Sequence, residues 1–257
     1  MRKKGILFSS IVALLVLAIL VGIFFLLFTV SDLSVYDKSG SSKWIGDIQE
    51  YANGYAKGVV FFFNKQSFAN NLSKQFPYTK VENVEIIFPN KIEVTILERK
   101  ALYAIEDGGT FYLFDKEGVL LESKSTNVGG DGNYACILVD KPQSAQQMDV
   151  NAAGTVPAIS TTKEMKMVLN FLDLMSRLEY DYSENELNGM LYSVSIENNN
   201  TLRAKTRFGT EFCIYDFDND SANKVAYIMA AFTSGAVTDP NRILYVGDDL
   251  KVIAGLQ

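Results

Sequence analysis

No histidine occurs anywhere in the 257 residues of this chain. That absence removes the Ser-His-Asp and Cys-His catalytic arrangements together with the commonest zinc ligand. Cysteine is nearly as scarce, with only Cys136 and Cys213, far apart in sequence. A disulfide between them is geometrically possible and spacing does not decide it; two separate small buried hydrophobes is the favoured reading. No glycine-rich phosphate cradle is present. Positive charge is also in deficit. The formal net charge is −6, and Arg2, Lys3 and Lys4 precede everything else, so the remainder is more acidic still. Such a body repels phosphate backbones, which argues against nucleic acid and against docking on an anionic membrane surface.

One stretch lacks charge altogether. From Gly5 to Val30 nearly every position is Leu, Ile, Val, Phe or Ala. About 20 helical residues cross the hydrocarbon core, so this run is long enough to span it with some tilt. A cleavable signal peptide would have an apolar core of roughly 7–15 residues and a small-residue cleavage site, and the exit Phe28-Thr29-Val30-Ser31-Asp32 is a weak one. The expectation is an uncleaved anchor. With three basic residues before the run and Asp32 as the first charge after it, the positive-inside rule keeps the amino terminus cytoplasmic and exports the rest.

Beyond the anchor, Thr29–Tyr36 alternates loosely as a strand. Trp44, Ile45, Ile48 and Tyr51 fall at helical spacing. After Gly58 and the apolar run Val59-Val60-Phe61-Phe62-Phe63, Asn64 suits the N-cap of a second helix through Gln75, with Phe68 and Leu72 on one face. A hairpin follows: Val81, Val84, Ile86 and Phe88 lead to Pro89-Asn90, then Ile92, Val94 and Ile96 alternate with Lys91, Glu93 and Thr95. Short strands are expected at Ala101–Glu106, Phe111–Phe114 and Val119–Leu121. Glu122–Asn133 reads as a polar loop. Thr161 and Glu164 fit a capping box opening a helix to about Tyr180, with Met165, Val168, Leu169, Leu172 and Met175 as its core stripe. Strands at Leu191–Ile196, Leu202–Thr206 and Glu211–Tyr215, a helix at Ser221–Ser234, and two closing strands at Ile243–Val246 and Leu250–Ile253 complete the chain.

The segment Leu72…Phe76-Pro77-Tyr78…Val84…Phe88-Pro89-Asn90…Ile92…Val94…Ile96-Leu97-Glu98-Arg99-Lys100 resembles the FtsQ/DivIB family of bacterial cell-division proteins. Tyr112…Asp115…Gly118-Val119-Leu120 and Gly58…Phe61…Asn64 are similar to two further stretches of that family. The resemblance implies an α+β chain with one N-terminal transmembrane helix and a POTRA module (β-α-α-β-β). A second mixed α/β domain dominated by an antiparallel sheet would follow. The expected limits are 1–4 for the cytoplasmic tail, 5–30 for the helix, 31–99 for the POTRA module, 100–255 for the second domain and 256–257 for the end. It also implies a non-enzymatic scaffold at the division septum, without cofactor or metal. Its expected partners are small bitopic proteins (FtsL- and FtsB/DivIC-like) and, indirectly, the septal peptidoglycan synthase.

Two rivals are a membrane-anchored cell-wall hydrolase and a POTRA-type chaperone. For the first, Glu184, Glu186, Asp248 and Asp249 are the candidate carboxylates, though solvated loop charges are the favoured reading. Asp216, Asp218 and Asp220 open like an EF-hand loop. Position six is Ser221 rather than Gly and position twelve Tyr227 rather than Glu, so an acidic turn capping the next helix is expected. The closing strands, short, apolar and terminal, suggest a sheet edge for strand addition. Its candidate partner-binding residues are Tyr245, Val246, Leu250, Lys251, Val252 and Ile253, with Tyr245 and Val252 as outward, selective side chains.

Overall fold

The computed structural model describes residues 2–40, 42–125, 136–142, 148, 150–177, 189–198, 200–237, 239, 242–247 and 252–255. The chain divides into two compact units, Met1–Glu98 and Arg99–Gln257. Helix α1 runs from Arg2 to Phe28, and its Ile11–Phe28 stretch is apolar on every side, the pattern that suits a helix surrounded by lipid. Among the described residues it is the one helix long and apolar enough to cross a membrane, and none of its Ile11–Phe28 stretch is buried within the protein.

The first unit continues with β1 (Asp32–Asp37), α2 (Ile45–Tyr55), α3 (Lys65–Gln75), β2 (Thr79–Ile87) and β3 (Lys91–Glu98). This is the strand-helix-helix-strand-strand order expected of the POTRA module. The sheet order is β1-β3-β2, with β1 parallel to β3 and β2 antiparallel to it. Asn64 caps α3 as its sequence suggests: its side chain accepts the Ser67 N–H at 2.9 Å. Phe68 and Leu72 then lie on the buried face, four residues apart on one side of the helix. They join Ile48 and Ala52 of α2 and the inward positions Ile92, Val94 and Ile96 of β3 in one core.

The second unit contains β4 (Tyr103–Asp107), β5 (Thr110–Phe114), β6 (Leu120–Lys124), β7 (Ile137–Val139), α4 (Lys163–Arg177), β8 (Leu191–Asn198), β9 (Thr201–Thr206), β10 (Glu211–Ile214), α5 (Ser221–Thr233), β11 (Ile243–Val246) and β12 (Val252–Gly255). They build a nine-stranded sheet in the order β12-β11-β10-β9-β8-β7-β4-β5-β6. Most pairings are antiparallel, as expected, but β4–β7, β7–β8 and β10–β11 are parallel. Met165, Val168, Phe171, Leu172 and Met175 of α4 and Val225, Ile228 and Met229 of α5 pack into one core with Leu202, Ala204, Phe212, Ile214, Leu244 and Val246 of the sheet.

Several local expectations shift. The cap of α4 is Thr162, not Thr161: its hydroxyl accepts the Met165 N–H at 3.2 Å, while Thr161 closes the preceding 3-10 turn by donating to Ala158. Strand β6 runs on to Lys124, into a stretch read as loop, because pairing with β5 extends to Phe111↔Lys124. The last strand lies two residues later than expected, at Val252–Gly255, in register with Val246–Ile243. Cys136 and Cys213 are both buried and free, the favoured reading over a disulfide. Burial pushes the Cys136 thiol up to about 11, so at neutral pH it is an apolar filler rather than a nucleophile.

The motif residues that carry the family resemblance turn out to be a structural clasp. Arg99 opens the second unit and pairs with Asp115 and, at 2.9 Å, with Glu117. Asp115 Oδ1 also accepts the N–H of Glu117 at 2.9 Å and of Val119 at 2.8 Å, which shapes the β5–β6 turn. Gly118 has φ +77°, and a Cβ there would meet Ser160 Cβ at 3.0 Å. Ser160 donates to the Gly118 carbonyl at 2.8 Å. Glycine is required both for the backbone sign and for the close approach. Burial pushes the Asp115 carboxyl up, and the Arg99 charge and the two N–H groups oppose that shift.

Candidate partner-binding edge

Strand β12 ends the sheet order of the second unit, and among the described residues no strand lies beyond it. Its partner β11 alternates: Leu244 and Val246 are buried beneath α5, while Ile243 and Tyr245 are half-buried on the other face. Period-two alternation therefore places Tyr245 on the face away from the helices. Parallel pairing of β10 with β11 sets Cys213 beside Tyr245, and antiparallel pairing sets Arg203 beside Cys213. Tyr215, two residues on from Cys213, stacks on Tyr245 with ring centroids 6.1 Å apart and planes at 10°.

The same face carries a carboxylate–guanidinium cluster. Arg203 donates to Glu197 through Nε at 2.7 Å and Nη2 at 3.0 Å, and through Nη1 to Glu211. The hydrogen bond from Arg203 holds the Glu197 carboxyl below its usual range, and those to Glu197 and Glu211 hold the guanidinium charged. The edge thus sits beside a stacked aromatic pair, with Tyr215 exposed and Tyr245 half-buried, and a strip of fixed charge.

Of the residues singled out from sequence, Tyr245 and Val246 fall in β11, and Val252 and Ile253 in β12 with registers Val246↔Val252 and Tyr245↔Ile253. Leu250 and Lys251 lie outside the described residues, as do Glu184, Glu186, Asp248 and Asp249. Tyr215 and Arg203 went unnoticed in the sequence. Their link to Tyr245 runs through a parallel pairing across a helix, a long-range relation that local pattern does not carry.

The Asp216–Asp220 loop has partners of its own. Asp216 accepts from the Asn200 side chain, and Asn219 N–H donates to the Asp216 carbonyl at 3.0 Å. Asp218 lies 3.6 Å from Lys163. Asp220 occupies the N-cap position of α5, but with φ +57° its carboxylate binds the Asn223 side chain at 2.9 Å and makes no cap bond to the helix backbone. The expected capping role is therefore corrected. Lys224, fully buried, donates through Nζ to the carbonyls of Tyr215 at 2.8 Å and Asp216 at 2.7 Å. Among the described residues no group of His, Cys, Asp and Glu is placed to hold a metal ion.

An apolar helix leading into a strand-helix-helix-strand-strand module, followed by a unit built on a large mixed sheet, defines the architectural class. Within that class the chain is similar to proteins named cell division protein DivIB. With the one from Clostridium acetobutylicum it is 34% identical over 71 residues, 28% of this chain and 28% of that protein. With the one from Clostridium tetani it is 28% identical over 148 residues, 58% of this chain and 50% of that protein. The chain thus matches half or less of the length of these relatives, and the resemblance to FtsQ/DivIB read from its motifs is borne out by them. No family model matches. A solved structure of the major extracytoplasmic domain of DivIB from Geobacillus stearothermophilus aligns with 53% of this chain and 96% of its own length, at 14% identity and a TM-score of 0.28.

Proposed function

We propose that the chain is a membrane-anchored, non-enzymatic scaffold of the bacterial division machinery. Its amino terminus is cytoplasmic, its two units are exported, and it gathers at the septum. There it binds small bitopic division proteins of the FtsL and FtsB/DivIC kind and, through them, helps control septal peptidoglycan synthesis. The relatives named for cell division and the apolar helix α1 support the anchored division role. The observation that carries the binding role is the position of β12 at the end of the nine-stranded sheet. Strand addition uses backbone N–H and C=O groups for affinity and flanking side chains for selectivity. Tyr245, Tyr215 and the Arg203 cluster supply that flank.

The test exploits the alternation of a strand. Successive N–H groups of β12 point to opposite sides, one into the ladder with β11 and the next away from it. Of Val252→Pro and Ile253→Pro, one therefore removes a ladder donor and the other an outward donor. In the full-length protein reconstituted with its partners, the outward variant should weaken binding about tenfold at nearly unchanged melting temperature. Binding that falls only in step with melting in both variants would remove the edge from the interface. A zymogram on peptidoglycan with the same protein should show no cleavage; clearance of the cell-wall substrate would favour the hydrolase.

A further inference from the structure

The run Val59-Val60-Phe61-Phe62-Phe63 would ordinarily be buried throughout, yet a 3-10 turn at Val60–Phe62 splits it. Val60 points into the core and Phe63 packs on Tyr55 and Phe68. Phe61 and Phe62 face outward, 52% and 83% exposed, and Phe88 before the hairpin turn is 61% exposed. Three exposed phenylalanines in one small module call for an apolar surrounding.

Their place is set by the end of α1. Phe61 lies parallel to Phe24 with centroids 6.0 Å apart and touches Phe28 at 4.9 Å. Phe88 packs on Phe61 at 5.3 Å. The backbone locks this arrangement: Val30 N–H donates to the Gly58 carbonyl and Ser31 N–H to the Asn90 carbonyl, each at 2.9 Å. Thr29 also bridges to Val59. The chain leaving the helix is thus bonded to both loops that carry the exposed rings.

We infer that Phe61, Phe62 and Phe88 form an apolar foot inserted into the lipid bilayer, seating the first unit on the membrane surface around the exit of α1. The inference rests on the reading of α1 as a membrane span. A span of about 20 residues drawn from Gly5–Val30 puts Phe24 and Phe28 at the outer boundary of the hydrocarbon core, and Phe61 lies beside them. The occupant is lipid because the patch is continuous with a helix surface that lipid already covers. Apolar insertion does not depend on attraction to anionic headgroups, so the acidic balance of the chain does not oppose it. Lys57 and Lys65, both exposed, flank the loop in sequence and suit the headgroup level.

Full-length protein in phosphatidylcholine vesicles, with Trp44→Phe removing the native indole, tests this with one tryptophan at a time. Leu20→Trp marks the span, and Phe62→Trp and Phe88→Trp mark the foot. With bromine on the lipid chains, the two foot reporters should be quenched at least about half as strongly as the span reporter, with blue-shifted emission. Quenching at position 20 with water-like, unquenched emission at 62 and 88 overturns the foot alone. Protection of 62 and 88 only after a partner protein is added also overturns it. No quenching at position 20 overturns the anchor reading instead.

Discussion

The first unit and the second each begin their sheet with an edge, and they close it by different means. In the first, a single side chain does so: Gln49 of α2 accepts the Val35 N–H at 2.9 Å and donates to the Leu33 carbonyl at 2.5 Å, imitating a neighbouring strand along β1. In the second, main chain closes β6, where Leu120 N–H donates to Thr155 and Gly154 N–H donates to Leu120, at 3.0 and 2.7 Å. The Arg99–Asp115 clasp fixes the turn that leads into that strand. A sheet edge left to itself recruits other strands. With β1 and β6 closed in this way, the remaining sheet ends are β2 in the first unit and β12 in the second. Of these, β12 is the one flanked by the Tyr215–Tyr245 pair and the Arg203 cluster.

Breaking the clasp should cost most. Arg99 and Asp115 are both nearly buried, their side chains 10% and 5% exposed. Arg99→Met leaves a buried carboxylate without its cation, an expected loss of about 3 kcal/mol at neutral pH. Burial already raises the Asp115 carboxyl, and removing the Arg99 charge raises it further. A raised carboxyl favours the folded state fully below its unfolded pKa of about 3.9, and that contribution is lost as pH rises through the folded value. The deficit of the variant should therefore shrink on acidification towards about pH 4. Urea unfolding of wild type and variant at both pH values reads this directly; an equal deficit at both would show that Asp115 does not depend on Arg99.

Opening the β1 closure should cost less. Gln49→Ala strips partners from two backbone groups, about 2 kcal/mol if each is worth about 1. Thermal unfolding measures it, and partner affinity should not change. A gain in partner affinity would place a binding edge at β1 and sink the contrast drawn above.

Much of this was written locally in the sequence. The Asn64 cap, the Pro89-Asn90 hairpin and the Met/Leu stripe of α4 depend on neighbours a few residues away, and each appears where the pattern put it. What escaped depends on distant partners. Gln49 is an ordinary polar helix residue until β1 lies beside it. By pattern Thr161, three residues before Glu164, is the better cap, and the 3-10 turn that takes up Thr161 decides for Thr162. Phe61 and Phe62 belong by pattern to one apolar run, and nothing in that run reveals that the end of α1 meets Phe61. For the candidate edge, Tyr245 was legible as an outward position, whereas its stacking on Tyr215 required the parallel register of β10 and β11.

The smallest effect is expected in the Asp216–Asp220 loop. Asp216, Asp218 and Asp220 changed together to Asn should move stability by less than about 1 kcal/mol, since their contacts are exposed and polar. Calorimetry should detect no calcium binding in wild type that the variant lacks; a specific loss in a folded variant would reverse this assignment.

Lys224 gives that loop a further property. Where a calcium loop gathers oxygens around an ion taken from the surroundings, here two carbonyl oxygens are gathered around an ammonium group tethered to the helix that follows. A tethered cation cannot be chelated, diluted or exchanged for another. The turn between β10 and α5 therefore carries its own cation and keeps its shape whatever ions surround it.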